Sequence, residues 1–258
     1  MAVKIKQILE EIGSDTLLFG SWLTAKGVTG KEQWSYVQSG WMERVSHGVY
    51  KVAGANVSLW GAISAYNTQL GKRCIVGAET ALELRGYTHY VPMGKPLAFI
   101  YTAPHHEMPS WFLEHEWDRT LRYQTSSLLG TEGLDDMDVE GHRLWVSCLE
   151  RAILECLNRP NAMTSLLDTY YLMELLTTLR PEVMQHLLEV CSSVKAKRLF
   201  LYMAEKANHP WLKDIDKTKI GLGSGRRMIV PKGKYIREYN MTIPRDLAMY
   251  DSDDGCIF

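Results

Sequence analysis

The sequence predicts an α+β fold with two domains, residues 1–55 and residues 56–258. Two observations carry this prediction. Three short helix patterns and a hairpin pattern fill the start of the chain, whereas strand and helix patterns are mixed after residue 73. A chain of 258 residues also fits one large domain or two small ones. A further division near residue 90 stays open.

The smaller N-terminal domain begins with three helix patterns, each of which stops at a glycine. They lie at residues 3–12, 16–27 and 30–40. Residues 41–52 then alternate apolar and polar side chains around a Ser-His-Gly turn, which predicts a two-stranded hairpin. Three short helices followed by a hairpin are typical of a winged helix-turn-helix, in which the third helix binds DNA bases and the hairpin is the wing.

The third helix and the hairpin carry side chains suited to DNA. Lysine and glutamine hydrogen-bond base edges in the major groove, and basic hairpin residues contact phosphates or an adjacent groove. Trp34, Val37 and Trp41 are expected to face the interior. The predicted DNA contacts are Lys31, Gln33, Tyr36 and Gln38, which are expected to face outward from the helix, and Arg44, Ser46, His47 and Lys51 on the hairpin. Because residues 1–56 hold 6 basic against 5 acidic side chains, a winged helix used for protein contacts stays open as an alternative.

Strand and helix patterns are mixed in the larger C-terminal domain. Helices are predicted at residues 56–70, as a linker, and at 78–87, 148–157 and within 161–207. Strands are predicted at residues 73–77, 95–104 and 119–127, and near Met228–Val230, Tyr235–Ile236 and Met241–Ile243. Residues 143–147 fit either a strand end or the start of the next helix. These patterns predict a larger mixed α/β domain.

The net charge of −1 conceals a basic segment near the C-terminus. Residues 195–245 hold 13 Lys and Arg against 4 Asp and Glu. Polyanions respond to local potential, not to the net charge of a chain. The candidates for contact with a polyanion or a partner are Arg226, Arg227, Lys232, Lys234 and Arg237. Lysines on amphipathic helices are often only a solvated face, and this alternative also stays open.

The remaining motifs fit no enzyme or metal template. HHEMPSWFLEHEW has neither H-E-x-x-H nor paired i, i+4 histidines, so we expect a polar loop entering a short helix and no metal. GLGSGRR lacks the spacing and the lysine of a phosphate-binding loop. No nucleophile with a positioned base is recognisable, so neither catalysis nor a cofactor is predicted. The alternative is a DNA-binding module fused to a nuclease-like or phosphate-handling enzyme, because carboxylates are scattered after residue 73.

The cysteines and the N-terminus indicate a cytoplasmic protein. Five scattered cysteines without a C-x-x-C pair are typical of buried thiols in a reducing compartment. The first residues show no apolar signal-peptide core, and no run approaches the roughly 18 apolar residues of a membrane span.

Four stretches, taken in order, resemble the AbiEi family of antitoxins from type IV toxin–antitoxin (abortive infection) systems. They are WLTAKGVTGKEQWSYVQSGWMERVSHGVYKV, VGAETALELRGYTHYVP, SCLERAILECL and GLGSGRRMIVPKGKYIREYNMTIPRDL. The resemblance covers most of the chain. It implies a transcriptional repressor whose N-terminal winged helix binds inverted repeats at the promoter of its own operon.

The same resemblance implies a second task for the C-terminal domain. That domain would antagonise a partner nucleotidyltransferase toxin, without requiring a stable complex, and so contribute to phage defence. The implied partners are operator DNA and this toxin, with no membrane. The basic segment would then hold DNA, an RNA target shared with the toxin, or an acidic surface of the toxin.

Overall fold

The computed structural model describes residues 2–89, 94–159 and 165–250. Its contacts divide the chain into two compact units. The first contains the described residues of 1–76, 93–125 and 136–145, and the second those of 77–92, 126–135 and 146–258. Helices and several sheets are mixed, which confirms the α+β class. The domain boundary near residue 55 stays a prediction.

The first unit begins with helices and a small sheet. These elements are α1 (Ala2–Ile12), β1 (Leu18–Phe19), α2 (Gly20–Ala25), α3 (Gly30–Gln38), β2 (Met42–Ser46) and β3 (Val49–Val52). The antiparallel sheet has the order β1-β3-β2. The first and third predicted helices and the hairpin are confirmed. The second helix begins later than predicted, because Leu18 and Phe19 pair with Tyr50 and Val49 instead of continuing a helix.

One apolar cluster holds these elements together. Its buried members are Ile8, Leu18, Leu23, Val28, Tyr36 and Met42. Each helix and strand except β3 contributes at least one of them, and Tyr50 from β3 packs against the cluster. Burying one large aliphatic side chain stabilises a fold by about 1.5–3 kcal/mol, so this cluster fixes the orientation of α3.

The rest of the first unit is built on a larger sheet. Its elements are α4 (Leu59–Leu70), β4 (Cys74–Val76), β5 (Leu97–Thr102), α6 (Ser110–Glu114) and β6 (Thr120–Thr125), together with most of β7 (Leu134–Val139) and of β8 (His142–Ser147). The strand order is β6-β5-β4-β8-β7, with β5 and β6 parallel and β4 and β5 antiparallel. Residues 143–147 therefore form a strand. Strand β7 was not predicted, because its aspartates suit a charged edge strand but hide the alternation of apolar residues.

Helix α4 is a core helix, so the prediction of a linker is wrong. Eight of its twelve residues are buried, including Trp60 and Ile63. Gly61 lies so close to Asp15 that an added Cβ would stand 2.2 Å from the Asp15 carbonyl oxygen. The backbones therefore meet at a distance that only glycine permits.

The second unit surrounds helix α7. Its helices are α5 (Ala78–Glu83), α7 (Leu149–Asn158), α8 (Leu166–Leu175), α9 (Pro181–Val190), α10 (Val194–Lys206) and α11 (Arg245–Met249). Residues 161–164 of the predicted helical segment lie outside the described residues. Three strands lie at or near the positions that the strand patterns predicted: β9 (Arg227–Met228), β10 (Lys234–Ile236) and β11 (Met241–Ile243). They form a small sheet of the order β10-β11-β9.

Helix α7 carries its charges into the interior of this unit. The Glu155 carboxylate accepts hydrogen bonds from Arg151 Nε at 2.7 Å, Ser147 Oγ at 2.9 Å and the Ala78 amide at 2.9 Å. Near the start of the same helix, Glu150 pairs with Arg180 at 2.8 Å. These bonds compensate for the loss of hydration, which is otherwise costly for buried charges.

Two predicted properties concern the whole chain. The described cysteines, Cys74, Cys148, Cys156 and Cys191, are free and buried, as predicted, and Cys256 lies outside the described residues. Among the described helices, none has both the length and the apolar content that a bilayer crossing requires.

Candidate nucleic-acid interface

Helix α3 has a strongly defined start. The Thr29 hydroxyl accepts a hydrogen bond from the Glu32 amide, and the Glu32 carboxylate accepts one from the Thr29 amide at 2.7 Å. This reciprocal capping box satisfies two amides that would otherwise lack helical partners. The Glu32 carboxylate is therefore engaged at the first turn of the helix.

The inner face of α3 is formed by Gln33 and Tyr36, so the prediction that they face outward is wrong. Gln33 is 5% exposed, and its Nε2 lies 3.0 Å from the Gly20 and Val28 carbonyl oxygens and from Thr24 Oγ1. Tyr36 belongs to the apolar cluster. The glutamine amide thus satisfies acceptors of α2 and of the turn after it, which fastens α3 to α2.

The outer face of α3 carries Lys31, Trp34 and Gln38, all exposed. At about 100° per residue these three side chains fall within an arc of roughly 60°. Trp34 is 64% exposed and Trp41 is 50% exposed, so the prediction that these two tryptophans face inward is wrong. Val37 does pack against the cluster. Sequence spacing did not distinguish the faces, because residues 34, 37 and 41 fit a helical stripe as well as residues 31, 34 and 38 do.

The tip of the hairpin presents Arg44 and His47. Arg44 Nε donates to the Ser46 carbonyl oxygen at 3.3 Å, and its guanidinium lies 3.3 Å from His47 Nδ1. Ser46 is partly buried, while Arg44 and His47 are exposed. Gly48 has a φ of +68°, a conformation that closes the turn without strain for glycine.

Lys51 is engaged at the base of the hairpin. Its Nζ lies 3.2 Å from the Glu43 carboxylate and donates to the Ala55 carbonyl oxygen at 2.9 Å. The Glu43 carboxylate accepts a hydrogen bond from the Gly54 amide and another from Lys51. These two bonds, the first with the larger effect, lower the pKa of the carboxyl below its ordinary value. Within the hairpin, Arg44 and His47 are therefore better placed than Lys51 to meet a polyanion.

A second basic surface lies on the small sheet of the second unit. The Arg226 guanidinium stands 4.7 Å from the centre of the Tyr235 ring and donates to Thr242 Oγ1. Tyr235 on β10 stands opposite Thr242 on the central strand β11, and Thr242 stands opposite Met228 on β9. Met228 is 70% exposed. The five candidate cations on or beside this sheet are all exposed: Arg226, Arg227, Lys232, Lys234 and Arg237.

A buried arginine supports this surface from beneath. Arg198 donates to the carbonyl oxygens of Leu222, Gly223, Gly225 and Asn240 at 2.8–3.0 Å. Burial lowers the pKa of its guanidinium below the ordinary value, and nearby Arg227 adds to this effect. The carbonyl oxygens of the glycine-rich loop before β9 thus bind the guanidinium of Arg198. The glycine pattern of this loop did not predict that it would surround a cation of the protein itself.

The histidine-rich stretch forms a polar loop and the short helix α6, as predicted. His105, His106 and Glu107 are exposed, and His115 stands 4.3 Å from the Trp117 ring centre. In the described part of the chain, no three His, Cys, Asp or Glu side chains form a group that could hold a metal ion.

Comparison with known proteins identifies the family. Residues 1–93 match the AbiEi antitoxin N-terminal domain of transcriptional regulators, and residues 95–244 match the transcriptional regulator AbiEi antitoxin of type IV toxin–antitoxin systems. No curated protein matches significantly. The crystal structure of the RV2827C protein from Mycobacterium tuberculosis is 13% identical, with a TM-score of 0.61 over 96% of this chain and 92% of that one. This likeness shows a shared fold. The two family matches together span nearly the whole chain, which therefore belongs to the AbiEi antitoxins, transcriptional regulators of type IV toxin–antitoxin systems.

Proposed function

We propose that the chain represses its own operon by binding inverted repeats through a winged helix-turn-helix, with α2 and α3 as the helix-turn-helix and β2–β3 as the wing. The observation that carries this proposal is the division of α3 into two faces. Gln33 and Tyr36 lock one face to the protein, and the opposite face leaves Lys31, Trp34 and Gln38 in solvent. A helix held rigidly on one face, with lysine and glutamine side chains on the other, suits insertion into a major groove.

The proposed contacts differ in what they contribute. Lys31 and Gln38 are of the right type to hydrogen-bond base edges, whereas Arg44 and His47 on the wing suit phosphates. The partly buried Ser46 and Lys51 would have a smaller share, and a direct contact by the buried Gln33 or Tyr36 stays a prediction. The regulatory family implies binding rather than catalysis, which argues against the nuclease-like alternative.

The repressor role is tested by titration against DNA. Full-length protein is titrated against a duplex of its own upstream region and a scrambled duplex at several salt concentrations. We expect preference for the upstream region. If Lys31 contacts a base, Lys31→Ala loses about 1–3 kcal/mol on the upstream duplex only. If Lys31 contacts phosphate, the loss is equal on both duplexes and the logarithmic salt slope falls by about 0.9. Equal affinity of the parent protein for both duplexes would overturn the repressor role.

The second part of the proposal is that the chain antagonises a nucleotidyltransferase toxin in the cytoplasm through the basic surface on β9–β11. Its exposed cations and its exposed Met228 and Tyr235 are of the types that bind polyanions and protein partners. We expect a variant with Arg227→Glu and Lys234→Glu to lose rescue of cells that express the toxin, while it still represses the operon. Loss of repression with intact rescue would assign the surface to DNA instead.

A further inference from the structure

Trp34 lies between Lys31 and Gln38 along the axis of α3, on the outer face of the helix. It lies one turn after Lys31 and one turn before Gln38, and 64% of it is exposed. Three other tryptophans of the same unit serve the interior: Trp60 and Trp117 are buried, and Trp22 packs against the apolar cluster. The large indole of Trp34 therefore adds little to the core, although it is the largest side chain on this face.

The chemistry of the two neighbours limits what this ring would meet. Lys31 is a cation, and Gln38 is an amide with both donors and acceptors. The outer face from Lys31 to Gln38 is about 10 Å long, which matches about three base pairs. In the major groove, the apolar group that base pairs present is the C5-methyl of thymine. An apolar ring between two polar side chains thus complements a thymine between other bases.

We infer that Trp34 determines sequence specificity by packing its indole on a thymine methyl in each half of the inverted repeat. This inference rests on the proposed repressor function and adds a residue that sequence periodicity had assigned to the core. The methyl offers apolar surface and no hydrogen bond, so Trp34 would distinguish thymine from cytosine and from uracil at that position. Lys31 and Gln38 would contact the flanking bases.

The test removes the methyl from the DNA rather than from the protein. Thymidines of the inverted repeats are replaced one at a time by deoxyuridine, which keeps Watson–Crick pairing and removes only the C5-methyl. The binding of full-length protein to each duplex is measured at fixed salt. We expect one thymine in each half-site whose replacement weakens binding about threefold to tenfold, in line with the burial of one methyl group.

Two protein variants locate the effect. Trp34→Ala should bind the thymine duplex more weakly than the parent does, and should bind the thymine and deoxyuridine duplexes equally. Trp41→Ala is the matched control, since Trp41 is also half exposed but follows the helix. We expect this control to keep the full loss on deoxyuridine. Because Trp34 is exposed, its variant should fold, and circular dichroism with a thermal scan checks this.

The outcomes separate this inference from the repressor role. If the parent prefers its own upstream region but no deoxyuridine weakens binding, the inference is overturned and the repressor role stands. An equal deoxyuridine loss in the parent and in Trp34→Ala also overturns it. If Trp34→Ala instead changes the sedimentation of free protein and leaves the deoxyuridine loss intact, the ring contacts a second copy and not thymine. No preference for the upstream region overturns the repressor role and this inference with it.

Discussion

Helix α7 buries eight of its ten residues, whereas helix α3 buries two of its nine. Both helices carry polar side chains into the interior, and in both each buried polar group has a partner there. In α7 the partners of Glu155 come from the same helix, from Ser147 and from the Ala78 amide. In α3 the partners of Gln33 come from α2 and the turn that follows it.

The difference between the two helices lies in what their other faces do. Neighbouring helices α5, α8, α9 and α10 pack around α7, so the charged residues of α7 stabilise the unit and have little surface left for binding. Helix α3 is held from one side, and its other side faces solvent. A polar residue in a helix is therefore informative about function only after its partners are known.

The substitution with the largest expected effect on stability is Glu155→Ala in α7. The substitution leaves the buried Arg151 without its carboxylate, and leaves the Ala78 amide without its acceptor. We expect the free energy of unfolding to fall by about 3–5 kcal/mol. Urea denaturation followed by circular dichroism measures it.

A matched control for that experiment is Glu189→Ala on α9 of the same unit. Glu189 is exposed and accepts a hydrogen bond from Gln185 within the same helix. Its removal should change the free energy of unfolding by at most about 0.5 kcal/mol. A similar small change for Glu155→Ala would show that the charges of α7 are not essential to the unit.

A smaller effect distinguishes the two faces of α3 with a single residue type. Gln33→Leu leaves the Gly20 and Val28 carbonyl oxygens without the amide donor and should cost about 1–3 kcal/mol of unfolding free energy. Gln38→Leu, on the exposed face, should change stability by less than about 0.5 kcal/mol but weaken binding to the upstream duplex. Urea denaturation measures the stability of both variants, and titration against the upstream duplex measures their DNA affinity. Equal stability losses would contradict the assignment of faces.

The smallest expected effect is the pH dependence of stability that the buried His209 contributes. His209 is buried, its Nε2 donates to the Met173 carbonyl oxygen at 2.7 Å, and burial lowers its pKa from 6.5. Below pH 6.5 the imidazole therefore binds protons more strongly in the unfolded chain than in the folded chain, so stability falls as the pH decreases below that value. We expect urea midpoints measured from pH 7 to pH 5 to fall less steeply for His209→Gln than for the parent. Identical slopes would contradict this.

Much of the local structure was predictable from short sequence patterns. Thr29 and Glu32 form the capping box that starts α3, and the Ser46-His47-Gly48 turn closes the hairpin, because both depend on residues within a few positions of each other. The exposed positions of Lys31, Gln38 and Arg44 were also predicted. The strand β1 was not, because its pairing partners lie some thirty residues away in β3.

By itself, the sequence determined the α+β class, the order of three helices and a hairpin, the basic segment, and the family. Only the tertiary structure decided which face of α3 meets solvent. Gln33 is buried where three acceptors surround it, and Trp34 is exposed on the side of the helix that faces away from those acceptors. Burial depends on partners that the fold brings together, such as Ala78 and Glu155 across 77 positions of sequence, and helical spacing contains no information about them.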